Sequence, residues 1–257
     1  MKNLKQIIKE EYRKILKEQN QGAYIKTLKI RKVHGSFYCD NNKLTSLEGA
    51  PTSVGGNFDC SDNNLVSLKG VPSSVVGNFY CQFNNFTSLE GAPSSVVGNF
   101  DCSYNKNLTS LEGAPSSVVG NFDCSYNKNL TSLEGAPTSV GDYFDCSNNS
   151  KLTSLEGAPT EVGGSFYCHE NKLTSLKGAP TSVGDNFDCS DNNLTSLEGA
   201  PSLVDGSFYC YKNNLNSLKG APNSVGGNFN CKLQKSDIEF TKEDVEKVSN
   251  VKGWISV

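Results

Sequence analysis

Residues 98–137 read "GNFDCSYNKNLTSLEGAPSSVVGNFDCSYNKNLTSLEGAP", and the run from Gly98 to Val119 returns almost letter for letter from Gly120 onward. Each copy holds one Cys and one Pro. Self-similarity at a period of about 20 to 50 residues marks a stacked array. The beat continues on both sides. The ten cysteines stand at 39, 60, 81, 102, 124, 146, 168, 189, 210 and 231, always 21 or 22 residues apart. All nine prolines, from Pro51 to Pro222, keep the same rhythm.

One repeat, Gly56 to Gly77, reads "GNFDCSDNNLVSLKGVPSSVVG". Phe58 and Cys60 alternate with Asn57, Asp59 and Ser61. Period-two alternation turns Phe and Cys to one face of a strand about five residues long. Asn63 follows three residues after Cys60, and an Asn recurs at that offset at 42, 84, 105, 127, 149, 171, 192 and 213. Such an Asn can satisfy backbone groups of its own and the neighbouring turn. Leu65 and Leu68 then point inward, Gly70 and Pro72 break regular structure, and Val75 returns to the core. No stretch between Leu68 and Pro72 is long enough for a helix. The return side is therefore expected to be extended, polyproline-like or a single 3₁₀ turn. The 22-residue intervals place their extra residue just after the Asn, near Lys106, Lys128 and Ser150, as an outward bulge.

With these positions assigned, the chain resembles the leucine-rich repeats, L-x-x-L-x-L-x-x-N-x-L. Phe58, Cys60, Asn63 and Leu65 fill the last four marked positions, while Gly55, Val76 or Val97 stands where the first Leu belongs. The units "CSxNxLTSLEGAP" look like the short leucine-rich repeats of tailed phages and some bacteria. The resemblance implies a mainly β solenoid with a parallel sheet on one face and short helices at both ends. It also implies a protein of host cytoplasm or virion. The expected organisation is a basic N-terminal amphipathic helix and cap over 1–34, the solenoid over 35–231, and a C-terminal cap over 232–257.

The cysteines sit where the family buries a Leu, and a free Cys behaves as a small hydrophobe. Parallel side chains on strands about 4.8 Å apart do not offer the converging geometry of a disulfide. No C-x-x-C pair or His cluster supplies metal spacing, so neither cofactor nor metal is expected. The reading is an inner ladder of reduced thiols beside a Phe ladder from Phe37 to Phe229. Nucleophile motifs and phosphate loops are also missing, which points away from an enzyme.

Charge is uneven. Residues 1–34 carry ten Lys/Arg against three Glu, and residues 35–231 carry nine Lys against nineteen Asp/Glu. An acidic array argues against nucleic acid on the solenoid. No segment is apolar and long enough to span a bilayer, and the N-terminus lacks a signal-peptide core. Outward strand positions run Tyr38, Asp59, Tyr80, Asp101, Asp123, Asp145, Tyr167, Asp188, Tyr209 and Asn230, with Phe83, Tyr104 and Tyr126 a little further on. Acid mixed with Tyr suits a basic protein surface. Tyr80, Asp101, Tyr104, Asp123, Tyr126 and Asp145 form the candidate partner-binding patch. Two other readings compete with it. One is a structural or virion-associated protein with no sheet-face ligand. The other is an ice-binding surface on the column Thr45, Thr87, Thr109 and Thr131.

At the ends, Leu4, Ile7, Ile8, Tyr12, Ile15 and Leu16 form a helical stripe that would cap the first coil or dock elsewhere. The array is expected to begin near Val33. Thr241 should cap a short helix with Phe240 and Val245 as a hydrophobic staple, and Val248, Val251, Trp254 and Ile255 should seal the last coil. Oligomeric state has no signature in the sequence.

Overall fold

The computed structural model describes residues 31–257. The stripe from Leu4 to Leu16 lies outside the described residues. Over these described residues the chain is a β-solenoid of roughly 21-residue repeats with two parallel sheets, each of eleven two-residue strands. One, the phenylalanine sheet, runs from Phe37–Tyr38 and Phe58–Asp59 through Phe229–Asn230 to Ile255–Ser256. Its strands are numbered here as rungs, so Phe79–Tyr80 is rung three, Phe100–Asp101 rung four and Phe122–Asp123 rung five. The other, the valine sheet, runs from Lys32–Val33 and Ser53–Val54 through Ser224–Val225 to Asn250–Val251.

From Phe37 to Phe208 each Phe pairs in register with the Phe of the next rung, and Phe229 pairs with Ile255. Ring centroids of neighbouring rungs lie 5.2 to 5.6 Å apart, for example Phe100–Phe122 at 5.2 Å and Phe122–Phe144 at 5.6 Å. Phe, Cys, both Leu and Val of the repeats fill one continuous buried core. The inward assignment made from alternation therefore holds.

The strands are shorter than the five residues expected. The residue two past each Cys, such as Asp62, Phe83, Tyr104 and Tyr126, takes a left-handed conformation with φ between 52° and 58°. That ends the pleat, since left-handed backbone cannot continue a strand. Hydrogen bonding between rungs nevertheless persists across the bend: Phe58, Cys60 and Asp62 N–H groups donate to Asn78, Tyr80 and Gln82 carbonyls at 2.8, 2.9 and 3.0 Å.

The return side is extended, one of the forms expected, but its Ser–Val pairs also assemble into a second sheet, which was not. Between Leu and Pro the chain makes a tight turn, with Ala92 N–H donating to Leu89 O at 2.9 Å. Its third residue is the repeating Gly, with φ near +90° as at Gly113 (91°). A Cβ there would sit 2.5 Å from the Glu90 backbone nitrogen of the previous coil, so only Gly fits. The following Pro is buried in every repeat. It places no N–H in the interior that would need a partner, which accounts for its fixed spacing.

At the C-terminal end, helix α1 (Lys242–Glu246) begins at the expected cap Thr241, which also forms a capping box with Asp244, and Val245 is fully buried. Residues past 231 do more than cover the core, because they add the last strand to both sheets. Val251 and Ile255 pack on the core as expected. Trp254 does not seal it: at 78% exposure it occupies the position next to Ile255 that Asn228 holds before Phe229, and its N–H donates to Asn228 Oδ1.

Candidate partner-binding face

Two side-chain ladders hold the coils in register and so position the outer face. The first is the expected buried Asn ladder. Asn127 Nδ2 donates to Cys102 O and Cys124 O at 3.2 and 2.8 Å, and its Oδ1 accepts from Asn105 N–H at 2.6 Å. In 21-residue coils the same oxygen also serves the first Leu, as when Leu65 N–H donates to Asn84 Oδ1 at 3.0 Å. In 22-residue coils the added residue forms an exposed turn, and Leu108 N–H instead donates to Asn105 O at 2.9 Å. This is the predicted outward bulge.

The second ladder escaped the sequence reading. Where the residue before Phe is Asn or Ser, its side chain accepts from the N–H of its counterpart in the next coil: Asn78 N–H to Asn57 Oδ1 at 2.9 Å, Asn99 N–H to Asn78 Oδ1 at 2.8 Å, Asn121 N–H to Asn99 Oδ1 at 3.0 Å. Ser165 and Ser207 serve through Oγ in the same column. The signal was present as recurring Asn before Phe, but a polar residue beside a strand also fits plain solvation.

The cysteines form the buried ladder that the sequence suggested, and all ten are free. Several donate to the next coil's carbonyl, as Cys81 Sγ does to Asp101 O at 3.2 Å. Burial pushes the Cys124 thiol well above its usual range, and nearby cysteines and aspartates add to the effect.

On the outer face, Tyr80, Asp101, Asp123 and Asp145 stand in one register column. Each Asp is held by the Ser two residues on. Asp123 Oδ1 accepts from Ser125 N–H and Oγ–H at 2.9 and 2.6 Å, and Asp101 Oδ1 does the same from Ser103 at 3.0 and 2.7 Å. Ser147 N–H donates to Asp145 at 2.8 Å. These carboxylates face outward as expected but are half-buried. Burial first, then the Asp123 charge, pushes Asp101 and Asp145 up to about 6 despite the lowering effect of the Ser bonds. Ion pairs among the described residues engage other acids, and none joins Asp101, Asp123 or Asp145 to Lys or Arg.

Tyr104 and Tyr126 do not share that column. They occupy the left-handed turn beside it, with ring centroids 4.5 Å apart and planes 5° from parallel. Phe83, absent from the predicted patch, extends the stack at 4.5 Å from Tyr104. Its place in the Tyr104 column was readable from the repeat alignment. Tyr143, also unforeseen, interrupts the second ladder. Burial and the charges of Asp123 and Asp145 push its hydroxyl up to about 12. No helix among the described residues is long and apolar enough to cross a membrane, and no group of three or more His, Cys, Asp or Glu there could hold a metal. Comparison with known protein families, curated proteins and solved structures finds no match.

Proposed function

We propose that this solenoid is a non-enzymatic binding protein, and that the outer face of its phenylalanine sheet takes a protein partner with a basic surface. The observation that carries this reading is the column Asp101, Asp123 and Asp145. Three carboxylates sit on successive strands about 4.8 Å apart, with no Lys or Arg paired to them among the described residues. Like charges so placed oppose folding, and a basic partner relieves them while the tyrosines add contact area. The Phe-Cys-Asn-Leu spacing supports a place among the leucine-rich-repeat proteins of tailed phages and bacteria, acting in host cytoplasm or on the virion.

The threonine column that suggests an ice-binding surface has a different account. Thr109 and Thr131 hydroxyls donate to the Thr87 and Thr109 carbonyls at 3.2 and 3.3 Å, so the repetition serves inter-coil bonding. The test of the binding reading is capture from host lysate by the immobilised chain and by the triple variant Asp101→Asn, Asp123→Asn, Asp145→Asn. Loss of a captured protein in the variant, and on adding salt, is expected. Identical capture by both sinks the reading.

A further inference from the structure

Two exposed apolar ridges occur together on rungs three to five. One lies at the corner that leads from the valine sheet into the phenylalanine sheet, where Val76, Val97 and Val119 are 60, 50 and 64% exposed. The other is the stack of Phe83, Tyr104 and Tyr126 on the opposite side of the same strands, 50, 41 and 41% exposed. Both ridges stop at the same rungs. In the coils on either side the corner residue is Gly55 or Gly141, and the turn residue is Asp62 or Asn148. The valine ridge has no room to extend: a Cβ at Gly141 would lie 2.1 Å from Val119 O.

Between the ridges lies a floor bearing Asp101 and Asp123. In a stack 4.5 Å apart the ring faces cover one another, so the aromatic ridge offers edges and hydroxyls. Cation recognition therefore falls to the carboxylates and apolar contact to the flanks. An isolated exposed Val needs no explanation, but six exposed apolar residues framing an uncompensated acidic floor do.

We infer that rungs three to five dock a polypeptide segment carrying Lys or Arg flanked by apolar side chains, with the cations over Asp101 and Asp123 and the apolar groups against the two ridges. This deepens, and rests on, the reading that the acidic face binds a basic protein.

The probes are two labelled synthetic peptides of equal charge, one of Leu-Lys-Lys-Leu units and one of Gly-Lys-Lys-Gly units, titrated with the full chain by fluorescence anisotropy. The leucine peptide should bind about tenfold more tightly. That advantage should vanish in two separate variants. The first is Val76→Thr with Val97→Thr and Val119→Thr. The second is Phe83→Asn with Tyr104→Asn and Tyr126→Asn, which uses the residue that already holds this left-handed turn at Asn41 and Asn148. Asp101→Asn with Asp123→Asn should weaken both peptides. If the two peptides bind alike, or neither ridge variant matters while the Asp variant does, the ridges take no part and the acidic-face reading survives alone. Binding indifferent to the Asp variant brings down the acidic-face reading itself. Self-association in sedimentation velocity that the ridge variants abolish would instead assign the ridges to a second copy of the chain and overturn the inference.

Discussion

Phe122 and Asp123 are neighbours with opposite jobs, and substitution separates them. Phe122 is fully buried between the rings of Phe100 and Phe144, so Phe122→Ala should cost about 3–5 kcal/mol. Alternation alone makes Asp123 an outward residue whose loss changes little. The two hydrogen bonds from Ser125 alter that expectation. Losing them costs roughly 1 kcal/mol each, against a relief of only a few tenths from each like-charged neighbour. Asp123→Ala should therefore destabilise by about 1 kcal/mol. Asp123→Asn keeps the accepting Oδ1 and drops the charge, so it should match or exceed the parent in urea unfolding. Equal midpoints for the Ala and Asn variants would show that the Ser bonds contribute nothing.

At the scale of the coil, the two ladders differ in how much each side chain must do. Asn127 is fully buried and joins three backbone groups of two coils; Asn127→Ala strands the Asn105 N–H and takes one of two donors from Cys102 O and Cys124 O, which keep Asn105 and Asn149 Nδ2, so it should cost about 2–3 kcal/mol. Asn99 need only accept one N–H, a task Ser165 and Ser207 already perform through Oγ. Asn99→Ser should then be nearly neutral, while Asn105→Ser, too short to span its partners, should not. Similar thermal shifts for Asn99→Ser and Asn105→Ser would contradict this division. The contrast also shows what the sequence could carry. Phe58, Cys60, Asn63, Leu65 and Leu68 were legible because periodicity and one Asn per coil point to a buried ladder. The valine sheet was not, because a two-residue strand such as Ser95–Val96 has no period to detect. The column of Phe83, Tyr104 and Tyr126 was legible from the repeat, but not the left-handed turn that stacks its rings, because that backbone usually falls to Gly or Asn. The acidic column could be read as facing outward, but its half-burial arises from neighbouring coils, which alternation within one strand does not describe.

For the whole molecule, the repeat multiplies each titration down a column, so stability should follow pH in two falls. Asp101 and Asp145 titrate at about 6 when folded, because burial disfavours their charge, against about 3.9 unfolded. Between those values the folded chain holds more protons, so stability declines as pH rises through that window. Asp244, drawn down to about 2 by its bonds to Thr241 and Lys247, works in the opposite sense. Its contribution is present above the unfolded value and fades as pH falls toward 2, which sets an acid limit to the rise. The thiols impose the second fall. Burial lifts those of Cys39 through Cys210 well above the ordinary range. Above about pH 8.5 the unfolded chain sheds thiol protons that the fold retains. Cys231 is the exception, lowered chiefly by its hydrogen bond with Cys210, and it should be the first thiol to react with a labelling reagent in the native protein. Urea midpoints should therefore order as pH 4.5 above pH 7, and pH 7 above pH 9.5. Asp101→Asn with Asp145→Asn should flatten the first interval and shrink the second only slightly, because burial comes first and the Asp charges second in raising the neighbouring thiols. A midpoint that climbs between pH 4.5 and 7 would mean that the column is solvated well enough to lose no stability on ionising. The charge on the face would then exert no strain for a basic partner to relieve.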